Sequence, residues 1–202
     1  MQHAVISAPL VDLTTQEQRG MFQLRYQVFH DRLGWDVKTT DDGQEIDEFD
    51  ALDRAHYIVA KSDDTHVDAC WRLLPTQGPN MLRDIFPELL HGQPAPMGSD
   101  VWELSRFAIA TDRVAAGEDT VNHQLGFGEL SVALMAEAAK FARANQISRY
   151  VTVTTTAIER MLKRQGLNIH RLGPPVRIGL VLTVACFIEV DSMTLGAVGY
   201  ND

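Results

Sequence analysis

Residues 129–166 read ELSVALMAEAAKFARANQISRYVTVTTTAIERMLKRQG, and the changes of period along them decide the class of fold. Leu130, Leu134, Ala138 and Phe141 recur on one face among good helix formers, so 129–143 is expected to be a core helix. Tyr150 to Thr155 is then a β-branched run suited to a pleated, half-buried surface. From about 156 to 165 the apolar positions return to helical spacing among Arg160, Lys163 and Arg164, and Gly166 is the natural C-terminal stop. Helix, strand and helix in direct succession point to an α/β layer arrangement.

The alternation continues on both sides. Upstream, Met21, Leu24, Val28 and Leu33 follow the Thr14/Thr15 start signal at near-helical spacing, which predicts a helix over about 15–33 that Gly34 ends. Trp35 to Asp53 is a polar stretch carrying Asp36, Asp41, Asp42, Glu45, Asp47, Glu48, Asp50 and Asp53, read as a long ordered acidic loop. His56–Lys61 and Val67–Leu74 make a hairpin about the Asp63-Asp64 turn, and Val101–Ile109 is a further strand. Downstream, Ile178–Val190 is expected to close the fold as one long apolar strand. The expectation is a three-layer α/β sandwich around a central mixed, twisted sheet. No linker rich in Gly, Pro and Ser divides the 202 residues, so residues 1–202 read as a single domain.

A net charge of −9 speaks against nucleic acid as a partner, because a phosphate backbone would be repelled over most of the surface. No apolar run approaches the roughly 18 residues of a membrane span, and the basic-then-apolar pattern of a secretory signal is missing. A cytoplasmic protein without a membrane partner is expected. Cys70 and Cys186 lack the close spacing of a zinc or redox motif and read as buried free thiols, and the seven histidines show no ligand spacing. No metal site is therefore expected. The EF-hand spacing is also absent from the acidic loop.

Four spaced groups carry the chemistry. They are Arg25-x-x-x-Phe29-x-x-x-x-x-Trp35, Glu45-x-Asp47-x-x-Asp50, Arg72-Leu73-Leu74-Pro75-Thr76 and Trp102-Glu103-Leu104-Ser105-Arg106-Phe107. Together they resemble the LuxI-type acyl-homoserine lactone synthases of bacterial quorum sensing. Met81-Leu82, Phe86-Pro87-Glu88-Leu89-Leu90 and Val151-Thr152-Val153-Thr154-Thr155 extend the resemblance over nearly the whole chain. It looks closest to the Pseudomonas-type synthases of long-chain 3-oxoacyl products. The resemblance implies an acetyltransferase-like (GNAT-like) fold, S-adenosylmethionine as a substrate rather than a cofactor, and an acyl group delivered by acyl carrier protein. It also implies that the product closes to a lactone and releases methylthioadenosine.

The residue types suit that substrate physically. Aromatic faces such as Trp35 and Phe29 attract a sulfonium through their quadrupoles, and Phe86 is either a third such face or a core aromatic. Asp47 and Asp50 can hold the ammonium, or order the loop by pairing with Arg25 or Arg72. An arginine fork suits the carboxylate, and spacing alone does not choose the arginine. Acylation needs a neutral amine, which makes Glu103 the candidate base, with Arg106 beside it in the catalytic set. Structural pairing is the alternative role for Arg25, Arg72 and Glu103. Because Glu103 and Arg106 are three residues apart, an unbroken strand would send them to opposite faces. A bulge or splay between them is expected.

Gln124-Leu125-Gly126-Phe127-Gly128 falls one residue short of an acetyltransferase pyrophosphate loop, which favours a protein-borne donor. Arg149, Arg160, Lys163, Arg164, Arg171 and Arg177 form a basic concentration able to dock an acidic carrier, or simply a solvated face. Thr152 occupies the place that the resemblance links to 3-oxoacyl preference, where its hydroxyl could donate to the acyl C3 oxygen; Thr154 joins it as an acyl-chain residue. The rival readings are an ordinary acyltransferase using coenzyme A and another amine, and a non-catalytic module binding adenosylmethionine or acyl chains. Acyl length and oligomeric state are left open by the sequence.

Overall fold

The computed structural model describes residues 3–63, 66–114 and 128–200. In chain order the elements are β1 (Ala4–Pro9), α1 (Thr15–Arg25), β2 (His56–Lys61), β3 (Val67–Pro75), α2 (Met81–Asp84), β4 (Val101–Ile109) and α3 (Thr111–Val114). They continue with α4 (Glu129–Ala144), β5 (Arg149–Thr155), α5 (Thr156–Gln165), β6 (Ile169–Arg171), β7 (Val176–Ile178), β8 (Val181–Glu189) and α6 (Ser192–Ala197). The strands follow the order β1-β2-β3-β4-β5-β8-β6, with β7 also paired to β8. The sheet is mixed and open: β4 and β5 run parallel, whereas β1–β2 and β5–β8 are antiparallel. Helices flank it, so the α/β expectation holds.

Two compact units divide the chain, Met1–Arg72 with Arg106–Glu137, and Leu73–Ser105 with Ala138–Asp202. In the first, Met21, Phe22, Leu24 and Val28 are buried, as are Phe49, Tyr57 and Ile58. In the second, Leu82, Leu89, Leu90, Val151 and Ala185 form an apolar cluster that Phe86, Val153, Val176, Ile178 and Phe187 extend.

Local chemistry explains the elements. Thr14 starts α1 with a capping box: its hydroxyl accepts the Glu17 N–H at 3.2 Å, and the Glu17 carboxylate accepts the Thr14 N–H at 2.9 Å. The α-helix ends at Arg25, however, and Tyr26–Arg32 is π-helical. A wider turn rotates later residues off the α-helical stripe, so Leu33, expected on the apolar face, is exposed while Val28 and Phe29 are buried. Gly34 ends the segment as expected, at φ 63°. Gly166 likewise stops α5 at φ 99°.

Further features depart from the expectations. The acidic stretch is not wholly a loop: Thr39 bridges Glu45, and Glu48–Ala51 is a 3-10 turn capped by Asp47. β1 was not foreseen, because Ala-Val-Ile-Ser-Ala-Pro lacks clean alternation; its order comes from six antiparallel partners along β2. The apolar run from Ile178 is two strands, since Gly179 turns the chain at φ 58° and pairs Ile178 with Val181. A short helix, α6, follows, capped by the Asp191 carboxylate on the Thr194 N–H at 3.0 Å. Of the expected Asp63-Asp64 turn, Asp64 lies outside the described residues.

Both cysteines are buried free thiols, and burial pushes each thiol up to about 12, so neither is a thiolate near neutrality. No described helix is long and apolar enough to cross a membrane. Among the described residues no group of three or more His, Cys, Asp or Glu could hold a metal ion.

Candidate active site

The first unit draws the early arginine, the acidic stretch and two strand arginines into one buried cluster. Arg25, from the last turn of α1, donates through Nε to Glu45 Oε2 at 2.5 Å and through Nη1 and Nη2 to Asp50 at 2.7 and 2.9 Å. Arg72, on β3, bridges the two ends of the 3-10 turn: Nη1 reaches Asp47 Oδ1 at 2.5 Å and Asp50 Oδ1 at 2.8 Å, and Nη2 reaches Asp47 Oδ2 at 3.0 Å. Arg106, on β4, bonds Glu45 through Nε at 3.1 Å and through Nη2 at 3.0 Å, and also holds Asp47 Oδ2 at 2.9 Å. Three guanidiniums thus face three carboxylates, and their charges cancel.

Cancellation is what makes such burial tolerable, because an unpaired ion in this setting would cost several kcal/mol of lost hydration. Burial alone would disfavour the Asp50 anion, but Arg25 and then Arg72 outweigh it and hold that carboxyl well below the usual carboxylate range. Burial likewise opposes the Arg25 cation, and Asp50 and then Glu45 more than restore it. The carboxylates are well supplied with donors. Asp50 also accepts the Tyr57 hydroxyl at 2.7 Å and the Asp47 N–H at 2.8 Å, and Asp47 accepts the Phe49 N–H at 3.0 Å. Of the two roles open to Asp47 and Asp50, pairing with Arg25 and Arg72 to order the loop is therefore the one present in this structure.

Arg106 differs from the rest. Its side chain is 11% exposed, against 1% for Arg25 and 0% for Arg72, so its guanidinium reaches the edge of the cluster. Its Cζ lies 5.4 Å from the centroid of the Phe29 ring, and Trp35 stacks on that ring at 5.3 Å and 15°. Phe29 is buried, while Trp35 is 44% exposed. A cation, a stacked aromatic pair and a polar edge therefore lie side by side within this unit.

The backbone that presents Arg106 is irregular. Pairing of β4 with β5 runs from Val101↔Arg149 to Leu104↔Thr152, and Arg106 adopts φ 57°. A left-handed residue that is not glycine costs roughly 1–2 kcal/mol, held in place here by the ion pairs of its own side chain. The Arg106 carbonyl also accepts the buried Cys70 thiol at 3.8 Å. The expected break between Glu103 and Arg106 is thus present, with the ladder to β5 ending after Leu104.

The remaining expected site residues belong to the second unit. Glu103 is 1% exposed, and its two oxygens accept the Met81 and Leu82 N–H groups at 2.9 and 2.7 Å, capping α2. Phe86 packs on the apolar cluster of Leu82, Leu89 and Val151, which is its core reading. The Thr152 hydroxyl donates to the Leu104 carbonyl at 2.9 Å, so its proton is engaged within the sheet rather than turned outward; Thr154 is half-buried on the same strand.

Several basic residues have internal duties. Arg171 forks onto the buried Glu159 at 2.9 and 2.6 Å, and Lys163 reaches the same carboxylate at 2.8 Å. Arg149 pairs with Glu189 at 3.3 Å and lies over the Phe187 ring. Arg160, Arg164 and Arg177 are exposed. Of the near-miss phosphate loop, residues 124–127 lie outside the described residues.

Two members of the cluster were not singled out from the sequence as site residues, Glu45 and Tyr57. Glu45 opens the Glu-x-Asp-x-x-Asp pattern, and that periodicity is the signal for it. Tyr57 sits in an apolar strand and carries no local signal.

The family model described as autoinducer synthase matches residues 10–198. The acyl-homoserine-lactone synthase of Pseudomonas aeruginosa is 42% identical over 176 residues, covering 86% of this chain and 83% of that protein. Among solved structures, the AHL synthase LasI superposes with a TM-score of 0.84 at 39% identity, over 98% of this chain and 94% of that one. TofI, solved with an inhibitor and MTA, gives 0.79 at 31% identity, over 100% and 98%. At the level of fold alone, an acyl-CoA N-acyltransferase from Pseudomonas aeruginosa gives 0.59 at 18% identity, over 92% and 99%, which supports the acetyltransferase-like assignment. By the extent of the family match and the identity of its relatives, the chain belongs to the autoinducer synthase family of acyltransferase-type enzymes.

Proposed function

We propose that this chain is an acyl-homoserine-lactone synthase, acylating the amine of S-adenosylmethionine and closing the product to a lactone. The observation that carries the reading is the balanced Arg25–Glu45–Asp50–Arg72–Asp47–Arg106 cluster with Phe29 and Trp35 at its edge, in a chain whose relatives are named for that activity. TofI, solved with MTA, supports methylthioadenosine as the second product.

The residues divide the work as follows. Arg106, held through Nε and Nη2 by Glu45 and Asp47 at the edge of the cluster, presents its positive charge to the amino acid carboxylate, and the stacked Phe29 and Trp35 offer aromatic faces to the sulfonium. Arg25, Arg72, Asp47 and Asp50 act by holding that edge rigid. Glu103 takes the proton of the attacking amine, directly or through a water. In acylation the amine nitrogen bonds the thioester carbonyl carbon, the carbon–sulfur bond breaks and the carrier thiol leaves. In closure the carboxylate oxygen attacks the carbon on the sulfonium, the carbon–sulfur bond breaks and neutral methylthioadenosine departs. The sulfonium is already a good leaving group, so the protein's part is to fold the substrate to near-attack distance.

The acyl donor is read as acyl carrier protein in the cytoplasm, docked by the exposed Arg160, Arg164 and Arg177, with Arg149, Lys163 and Arg171 framing them. Thr152 and Thr154 serve the acyl chain; donation from Thr152 to a C3 oxygen requires its proton to turn away from Leu104. The test is turnover with one acyl group presented on carrier protein and, separately, on coenzyme A. The expected result is lactone from the carrier thioester at much the higher kcat/KM, with that advantage reduced by an Arg160→Glu, Arg164→Glu double variant. Equal use of both donors would contradict the carrier assignment.

A further inference from the structure

Asp50 Oδ1 accepts three donors in the cluster: Arg25 Nη1 at 2.7 Å, Arg72 Nη1 at 2.8 Å and the Tyr57 hydroxyl at 2.7 Å. Two of those donors are cations. Tyr57 is neutral, sits on β2, and is buried. Burial and then the Asp50 anion push its phenol above the ordinary value, so it remains a proton donor throughout the working pH range. A third cation there would have unbalanced a cluster whose charges already cancel, and an apolar residue would have left Oδ1 with its two arginine donors but without the third bond. A phenol supplies a bond of fixed direction without charge.

We infer that the Tyr57 hydroxyl is a positioning group for S-adenosylmethionine, acting through the buried arginine–carboxylate relay on Arg106. The relay is continuous within the first unit. Tyr57 fixes Asp50, Arg72 Nη1 joins Asp50 Oδ1 to Asp47 Oδ1, and Asp47 Oδ2 holds Arg106 Nη2 at 2.9 Å. Two residues thus separate Asp50 from the guanidinium assigned to substrate. Tyr57 itself touches no reacting atom in this scheme, and the inference rests on the reading of Arg106 as the cation that meets the substrate carboxylate.

The test is steady-state kinetics of Tyr57→Phe on the full chain, with KM for S-adenosylmethionine, KM for the acyl donor and kcat measured separately, and thermal unfolding recorded alongside. The substitution removes one oxygen and leaves the ring. The expected result is a KM for S-adenosylmethionine raised about ten-fold, the scale of a hydrogen bond lost from a charged partner, with the acyl-donor KM within two-fold of wild type. In a double-mutant cycle with Arg106→Lys the two effects on that KM should be non-additive, because a lysine cannot make the paired contacts to Glu45 and Asp47 that end the relay. A second arm places 3-fluorotyrosine at 57, which keeps the hydroxyl and should keep KM near wild type even if Tyr57→Phe unfolds.

An unchanged KM in Tyr57→Phe, additivity with Arg106→Lys, or an equal loss for both substrates would overturn the inference while leaving the functional reading intact. A raised KM with 3-fluorotyrosine would also overturn it. Wild-type protein that neither binds nor consumes S-adenosylmethionine would overturn both.

Discussion

At the scale of single residues, buried charges decide how the cluster is held. Asp50 shares two guanidiniums, so Asp50→Asn leaves three cations against two carboxylates, although Arg25 keeps Glu45 and Arg72 keeps Asp47; the expected loss is about 3 kcal/mol, read from chemical denaturation, the lower end of the range for a buried pair broken from one side. Glu103→Gln makes a different prediction. One oxygen becomes an amide nitrogen that cannot accept an N–H, so α2 loses part of its cap and the proposed base is gone; turnover should fall far more than adenosylmethionine affinity. Near-normal turnover would end the assignment of Glu103 as base. Much of this was legible in the sequence. Arg25, Asp47, Asp50, Arg72 and Arg106 were all drawn from spacing and resemblance. What spacing could not give was their mutual saturation, which makes the carboxylates anchors and leaves Arg106 at the edge. Tyr57 was illegible for a related reason: a tyrosine in an apolar strand reads as core until the phenol is seen to meet Asp50.

At the scale of elements, periodicity found what is regular and missed what is short or interrupted. α4, β5 and α5 lie where the quoted stretch placed them, because each carries a full period of apolar residues and a stop. The α-helix through Arg25 is shorter than its apolar spacing predicts, since hydrophobic spacing does not separate a π turn from an α turn over seven residues. The strand from Ile178 was drawn through Gly179, although a glycine inside an apolar run is itself a turn signal. Gly166 tests the reading of helix stops. At φ 99°, with the Ala197 Cβ lying 3.3 Å from an added Cβ, Gly166→Ala should cost more than about 1 kcal/mol in thermal or urea unfolding, against the gain usual for Gly→Ala in a helix interior. No loss there would mean that the left-handed cap does not hold α5.

At the scale of the whole molecule, pH reports on the buried charges. Asp50 has a folded value below its unfolded one of about 3.9, so its contribution is complete above that pH and is lost as acid approaches the folded value. His56 acts over a different window. Burial lowers it to about 4 against Asp12, and Ser7 meets its ring at 2.9 Å. From about pH 6.5 down to about 4 the unfolded chain takes up a proton that the folded ring refuses, so stability falls as pH drops through that window. His56→Asn should flatten that limb of a stability–pH curve and leave the Asp50 limb below it. What the whole chain makes is read by incubating the purified chain with S-adenosylmethionine and an acyl carrier protein thioester, and quantifying acyl-homoserine lactone and methylthioadenosine in the same sample. Equal amounts of the two, rising together, are the predicted result; thioester consumption without methylthioadenosine, or an acylated amine of another kind, would contradict it.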